Sequence, residues 1–335
     1  MSHPLSELLF GAVSAQAVHV AAELGLADHL DGGSRSSAEL AARTGTHAPS
    51  LARLLRVLAG LGVVAETAPG RFALTDAGHG LRTGAPGSLH SMFLLLNGEE
   101  HWRSWGELTQ SVRSGERGWD RALGVDWVEY YQRHPDRSAV FNRAMGEHTR
   151  TAAPGLVAAA ALERFGTVLD AGGGDGTLLA AALLAHPNLQ GMLFDLPAGL
   201  TEAEATLEAA GVADRCQILA GDLFVSVPAG ADAYLLKQVL HDWDDAHAAA
   251  ILRRVRAAMA DGTRLLILER MLPERPGVED LPTLLVDLVM LTVNGGRERT
   301  ERDFRALAEG AGLELTAVSD AIAPFGYRVI EAAPT

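Results

Sequence analysis

A chain of 335 residues, 48% of them apolar, is long enough for more than one domain and can bury a substantial core. Its 28 basic and 42 acidic residues leave a net charge of -14, which argues against partners such as nucleic acid or an anionic membrane surface. Cys216 is the single cysteine, so an internal disulfide and a cysteine-based zinc site are both excluded, in keeping with a reducing cytoplasm.

The first apolar stretch, LLFGAVSAQAVHVAAELGLADHL, is interrupted by Gln16, His19 and Glu23 and has no basic segment before it. It reads as a buried helix rather than a signal peptide or a membrane span. Next, Ser36 or Ser37 can cap a helix that Gly45 ends, and Pro49 sits where another begins. Leu51, Leu54, Leu55, Leu58 and Leu61 share one face of that second helix. GVVAET and RFALT, joined by the turn APG, then make a two-stranded wing, so residues 1–95 carry a winged-helix pattern. A DNA reader would show a basic face; this segment offers Arg53, Arg56 and Arg71. Dimerisation, with the apolar first helix as partner surface, is the favoured use.

Residues 96–165 read as a helical connector in which aromatic side chains gather: Trp102, Trp105, Trp119, Trp127, Tyr130, Tyr131 and Phe141. They either pack a joint or wall a pocket for a flat substrate, and Trp102 is taken as a wall residue.

From residue 166 to 335 short apolar runs alternate with helical stretches, the pattern of a parallel sheet with crossover helices and covered faces. GLELTAVSD and GYRVIEAAP add a hairpin-like edge. The first run leads into VLDAGGGDG, where Gly172, Gly174 and Gly176 give G-x-G-x-G rather than the dinucleotide spacing. Asp170 and Asp175 bracket this loop, and no Lys or Arg stands beside it. Carboxylates are poor company for a pyrophosphate and good company for a cation. S-adenosylmethionine, with a sulfonium, an ammonium and no phosphate, is such a ligand. Asp195, at the end of the next strand, is placed for ribose hydroxyls. Asp222 in GDLF is placed for the adenine amino group, with Leu223 and Phe224 beside the ring.

The fourth strand runs into LLKQVLHDWDD. Asp242 or Asp244 can cap the following helix, but histidine is a poor cap, which leaves His241 on the ligand side without a structural reason. The fifth strand is expected to end in LILER and to bring Glu269 to the same rim. A carboxylate beside an imidazole raises its pKa and fixes its tautomer, as a base for a phenol requires.

Across its whole length the chain resembles the small-molecule O-methyltransferases of bacteria and the plant caffeate type. DAGGGDG, GDLF, LKQVLHDW, LILER and GGRERTERDFRALAEGAGL carry the resemblance. It implies a class I methyltransferase fold: an α/β, Rossmann-like sheet of seven mostly parallel strands with an N-terminal winged-helix dimerisation domain. The domains implied are 1–95 for dimerisation, 96–165 as the connector and 166–335 for catalysis. It also implies a homodimer, S-adenosylmethionine as cofactor, no metal, and a flat aromatic or polyketide substrate of antibiotic or other secondary metabolism. His241 is then the general base, flanked by Glu269 and Glu298 and followed by Asp242. Gly172, Gly174, Asp195, Asp222, Leu223 and Lys237 fall on cofactor positions, with Asp170. Phe141, Met145, Met290 and Asn294 fall on the substrate wall. Plant members often place a proline between the asparagine and the two glycines; here Asn294 runs straight into Gly295. Three rival functions are weighed: a family member repurposed for decarboxylation or hydroxylation, a metabolite-sensing DNA-binding regulator, and a nicotinamide dehydrogenase, which the loop spacing and Asp170 disfavour.

Overall fold

The structure is a computed structural model and describes residues 4–335. The described residues divide into two compact units, 4–102 with 139–148, and 103–138 with 149–335. The stretch 96–165, expected to be a connector, is thus shared between the two.

In the first unit, helices Gly11–Glu23, Leu26–Leu30, Ser37–Thr44 and Ala48–Gly60 pack with a small sheet. That sheet has strands β1 (Arg35–Ser36), β2 (Val64–Ala68) and β3 (Arg71–Leu74) in the order β1-β3-β2. The winged-helix punctuation operates as read. Ser36 caps its helix in a reciprocal capping box with Glu39, and Gly45 ends it in the left-handed region. Leu51, Leu55 and Leu58 are buried; Leu61 lies beyond the helix end and is exposed, because the chain has already turned towards β2. The expected burial of the first helix needs correction. Ala17, Val18, Ala21 and Ala22 are buried, but Leu8, Leu9, Phe10 and Val13 are 61–74% exposed in the single chain. Arg71 is held by Glu39 at 3.2 Å, which removes one of the few cations a DNA-binding wing would use.

The second unit is built on β4 (Thr167–Ala171), β5 (Gln190–Asp195), β6 (Cys216–Ala220), β7 (Ala233–Lys237), β8 (Arg264–Leu272), β9 (Arg299–Thr300), β10 (Leu313–Val318) and β11 (Tyr327–Pro334). Seven strands run in the order β10-β11-β8-β7-β4-β5-β6, and the two-residue β9 pairs with β8. β6, β5, β4, β7 and β8 are mutually parallel, while β10 and β11 form the antiparallel edge. Alternation assigns the apolar residues to two faces. Leu169, Leu236 and Ile267 pack under helices Asp245–Ala258 and Glu301–Glu309; Val168, Leu235 and Leu266 pack under helices Thr177–Ala185 and Ala203–Ala209. The chain leaves β4 for β5 and β6 on one side and returns to β7 and β8 on the other. The switch point, where open α/β sheets bind ligands, therefore lies at the carboxyl ends of β4 and β7.

Candidate active site

β4 delivers Asp170 to the switch point, and the glycine loop folds over it. Gly172, Gly174 and Gly176 all have φ between 57° and 76°, so G-x-G-x-G is the spacing this backbone requires. A Cβ on Gly173 would lie 2.8 Å from the Asp170 carboxylate, and one on Gly172 would lie 2.7 Å from Val239. Asp170 is buried with neither oxygen hydrogen-bonded, and burial pushes its pKa up to about 7 against the pull of Lys237. An orphaned buried carboxylate under a glycine cradle fits a cationic ligand.

Asp195 closes the loop from the next strand, its Oδ2 accepting from Gly174 N at 2.7 Å and its Oδ1 from Leu196 N at 2.6 Å. Asp222 accepts from Phe224 N at 2.8 Å, which sets the turn after β6, and Leu223 lies against Gly172. Lys237 ends β7 and donates to Thr149 Oγ1 at 2.8 Å and Gln238 Oε1 at 2.9 Å; burial holds its pKa down to about 8. Of these groups, Asp195 bonds the glycine loop, Leu223 packs against it and Lys237 acts electrostatically on Asp170.

His241 follows from a break in β7. Gln238 has φ 51°, a left-handed conformation rare outside glycine, and it turns the chain out of the strand into the short 3-10 turn Leu240–Asp242. The N–H groups of Val239, Leu240 and His241 thereby converge on Glu269 Oε1 at 3.1, 3.0 and 3.4 Å. Glu269 does not end its strand, as the sequence led us to expect. β8 continues to Leu272 because β11 and β9 pair with it beyond Glu269.

Glu298, rather than Glu269, bonds the ring: His241 Nδ1 donates to Glu298 Oε1 at 2.9 Å and stands 3.9 Å from Glu269 Oε2. Nε2 lies 3.6 Å from Asp242 Oδ1. Burial alone would lower the imidazole pKa, but Glu269, Glu298 and Asp242 overcome it and raise it to about 9. Burial likewise raises Glu269 to about 7 and Asp242 to about 6, each partly offset by His241. His241, Glu269 and Glu298 offer ligand atoms within 4.8 Å of one another, a spacing that could hold a metal ion among the described residues. Glu269 Oε1 is already committed to three backbone donors.

Asn294 ends a π-helical turn, Met290–Asn294, and donates to Asp242 Oδ1 at 2.9 Å, which ties it to the histidine loop. Met290 is buried at the start of that turn. Trp102, Phe141 and Met145 belong to the first unit, with Trp102 exposed and the other two half-buried. Asp244, not Asp242, caps the helix, accepting from His247 N at 2.9 Å. Cys216 is half-buried, and burial raises its thiol pKa to about 11, which disfavours the thiolate form.

Sequence reasoning assigned no role to Gly296, Asp287 or Arg299. A Cβ on Gly296 would fall 1.9 Å from His241 O, so only glycine permits that approach. Asp287 accepts from Glu298 N at 2.8 Å. For Gly296 and Arg299, nearness to Glu298 in GGRERT was the available signal; Asp287 lies eleven residues before Glu298 and carried none.

Two family models match the chain: an O-methyltransferase dimerisation domain over residues 6–83 and an O-methyltransferase domain over residues 105–314. The chain is 43% identical over 330 residues to O-demethylpuromycin-O-methyltransferase of Streptomyces alboniger, covering 98% of this chain and 88% of that protein. Among solved structures, a mitomycin 7-O-methyltransferase superposes with a TM-score of 0.92 at 40% identity, over 99% of this chain and 97% of that one. An O-methyltransferase from neocarzinostatin biosynthesis, solved with S-adenosylmethionine and 2-hydroxy-5-methyl naphthoic acid, superposes at 0.82 with 34% identity over 96% of each chain.

Proposed function

The chain belongs to the S-adenosylmethionine-dependent O-methyltransferases, and from that premise we propose that it methylates a phenolic hydroxyl of a small aromatic natural product, with His241 as general base. The Nδ1–Glu298 bond carries this reading, because it fixes the ring and leaves Nε2 as the nitrogen free to take a proton. The cofactor, when bound, supplies an activated methyl group on a sulfonium. Asp170, Gly172, Gly174, Asp195, Asp222, Leu223 and Lys237 hold it at the switch point.

Nε2 takes the hydroxyl proton as the oxygen becomes a nucleophile. Glu298 and Glu269 stabilise the imidazolium that results, and Asn294 with Asp242 orients the acceptor. Met290 supplies apolar surface for a flat ring. Because the donor is already activated, orientation provides much of the acceleration. The names of the relatives support an aromatic acceptor from antibiotic biosynthesis. The dimerisation-domain match and the exposed Leu8, Leu9, Phe10 and Val13 support a homodimer. Acidity and the single cysteine support a cytoplasmic enzyme; among the described residues, no helix is long and apolar enough to cross a membrane.

The test is His241→Ala. Turnover on a phenol panel should fall by about 100-fold or more, the scale of general-base catalysis. S-adenosylhomocysteine affinity by calorimetry should stay unchanged. Parental turnover in the variant removes the base assignment, and product without transferred methyl would favour the repurposed reading.

A further inference from the structure

The guanidinium of Arg299 is fully buried, and its bonds go to the loop that carries His241 and to the helix that follows it. Nη1 donates to Leu240 O at 2.7 Å and Nη2 to Trp243 O at 2.8 Å. Nε and Nη2 converge on Asp245 Oδ1 at 3.0 and 2.9 Å. The two carbonyls flank His241 on either side in sequence. The main chain adds a third tie, Arg297 N donating to His241 O at 2.9 Å. Arg299 itself sits in β9, whose partner β8 is the strand that carries Glu269.

We propose that Arg299 is the positioning residue for His241: its fork clamps the turn so that Nδ1 stays on Glu298 and Nε2 stays free. The inference rests on the reading of His241 as the base. An arginine needed only for an ion pair would be satisfied by Asp245, whereas this one also takes two backbone carbonyls around a single histidine. Glu269 gathers the N–H groups of the same turn, so the turn is held by its donors on one side and by its acceptors on the other. Arg299 also follows Glu298 directly. A shift of its backbone therefore moves both the clamp and the ring's partner. Lysine keeps the charge but cannot span two carbonyls and a carboxylate from one plane.

The experiment compares Arg299→Lys and Asp245→Asn with the parent and with His241→Ala. Steady-state kinetics across pH, S-adenosylhomocysteine calorimetry and ring-nitrogen NMR are measured, with His241 assigned by difference against His241→Ala. Arg299→Lys should lower kcat on the order of 100-fold, as for a misplaced catalytic group. KM and cofactor affinity should stay within about threefold, because uniform binding is untouched. Its pH profile should move and the Nδ1–H resonance of His241 should broaden or vanish. Asp245→Asn, altering the half-exposed end of the clamp, should fold normally and change the same readouts in the same direction by less.

Parental kcat, pH profile and ring resonance in Arg299→Lys would overturn the inference. So would a loss of stability and cofactor affinity with the ring resonance intact. Should Arg299→Lys fail to fold, parental readouts in Asp245→Asn would overturn it. If His241→Ala retains turnover, the base reading fails, while the ring resonance in Arg299→Lys still decides whether Arg299 positions the imidazole.

Discussion

The surroundings of His241, the proposed general base, favour its protonated form at neutral pH. Burial opposes that charge, yet Glu269, Glu298 and Asp242 bring the ring to about 9. The sign follows directly. The neutral imidazole, the form that can accept a proton, fills as pH rises through that value, so kcat should climb from neutral towards alkaline pH. The same raised pKa stabilises the fold below the unfolded value of 6.5, and that contribution is lost as pH rises through about 9. Glu298→Gln removes the carboxylate that bonds the ring. Its alkaline limb should move to lower pH by on the order of one unit, the effect of losing one adjacent opposite charge. Its plateau should fall, since the ring is less firmly fixed. A pH–rate series on both enzymes checks this, and a limb that stays in place means the titrating group is not His241.

The unit formed by β4, its glycine loop and the following helix works by leaving one carboxylate unsatisfied. Asp170 prefers to be protonated in the fold, with its pKa raised to about 7 by burial first and by Asp195 and Asp175 next, against Lys237. A raised carboxylate pKa contributes stability that is present below the unfolded value of 3.8 and is lost as pH rises through about 7. Asp170→Asn should therefore raise the Tm of the cofactor-free enzyme by a few degrees at pH 8, with the gain shrinking towards pH 4. It should also weaken S-adenosylhomocysteine binding by about tenfold or more, the value of a charged hydrogen bond. Differential scanning fluorimetry with calorimetry decides both. A lower Tm would mean that the charge is not a burden, and unchanged affinity would remove Asp170 from the cofactor set. This element was legible in the sequence because Gly172, Gly174 and Gly176 each meet a backbone demand and Asp170 and Asp195 fall at the carboxyl ends of successive strands. The histidine turn was legible only in part. His241 stood out as a poor cap, but the division of labour between Glu269 and Glu298 depends on the left-handed Gln238, which periodicity does not encode. Arg299 was hidden for a similar reason: it reads as one more cation in a charged run, and its buried bonds are to backbone carbonyls.

For the molecule as a whole, the exposed face at Leu8, Leu9, Phe10 and Val13 is the feature a solitary chain accounts for least. Ala17, Val18, Ala21 and Ala22 farther along the same segment are buried within the first unit, so folding of that unit does not require the exposed face. A net charge of -14 keeps chains apart unless an apolar contact outweighs it. In a two-fold dimer each substitution appears twice, so Leu9→Glu with Phe10→Glu places four carboxylates in or beside the proposed contact. Burying unpaired carboxylates costs several kcal/mol each, enough to dissociate the pair at micromolar concentration. Light scattering should give the parent twice the 35.3 kDa of one chain and the double variant a single chain mass. Its far-ultraviolet circular dichroism should match the parent, because the buried alanine face is intact. A variant that stays dimeric would move the interface away from these residues, whereas loss of the helical signal would show that the exposed face supports the fold of the first unit itself.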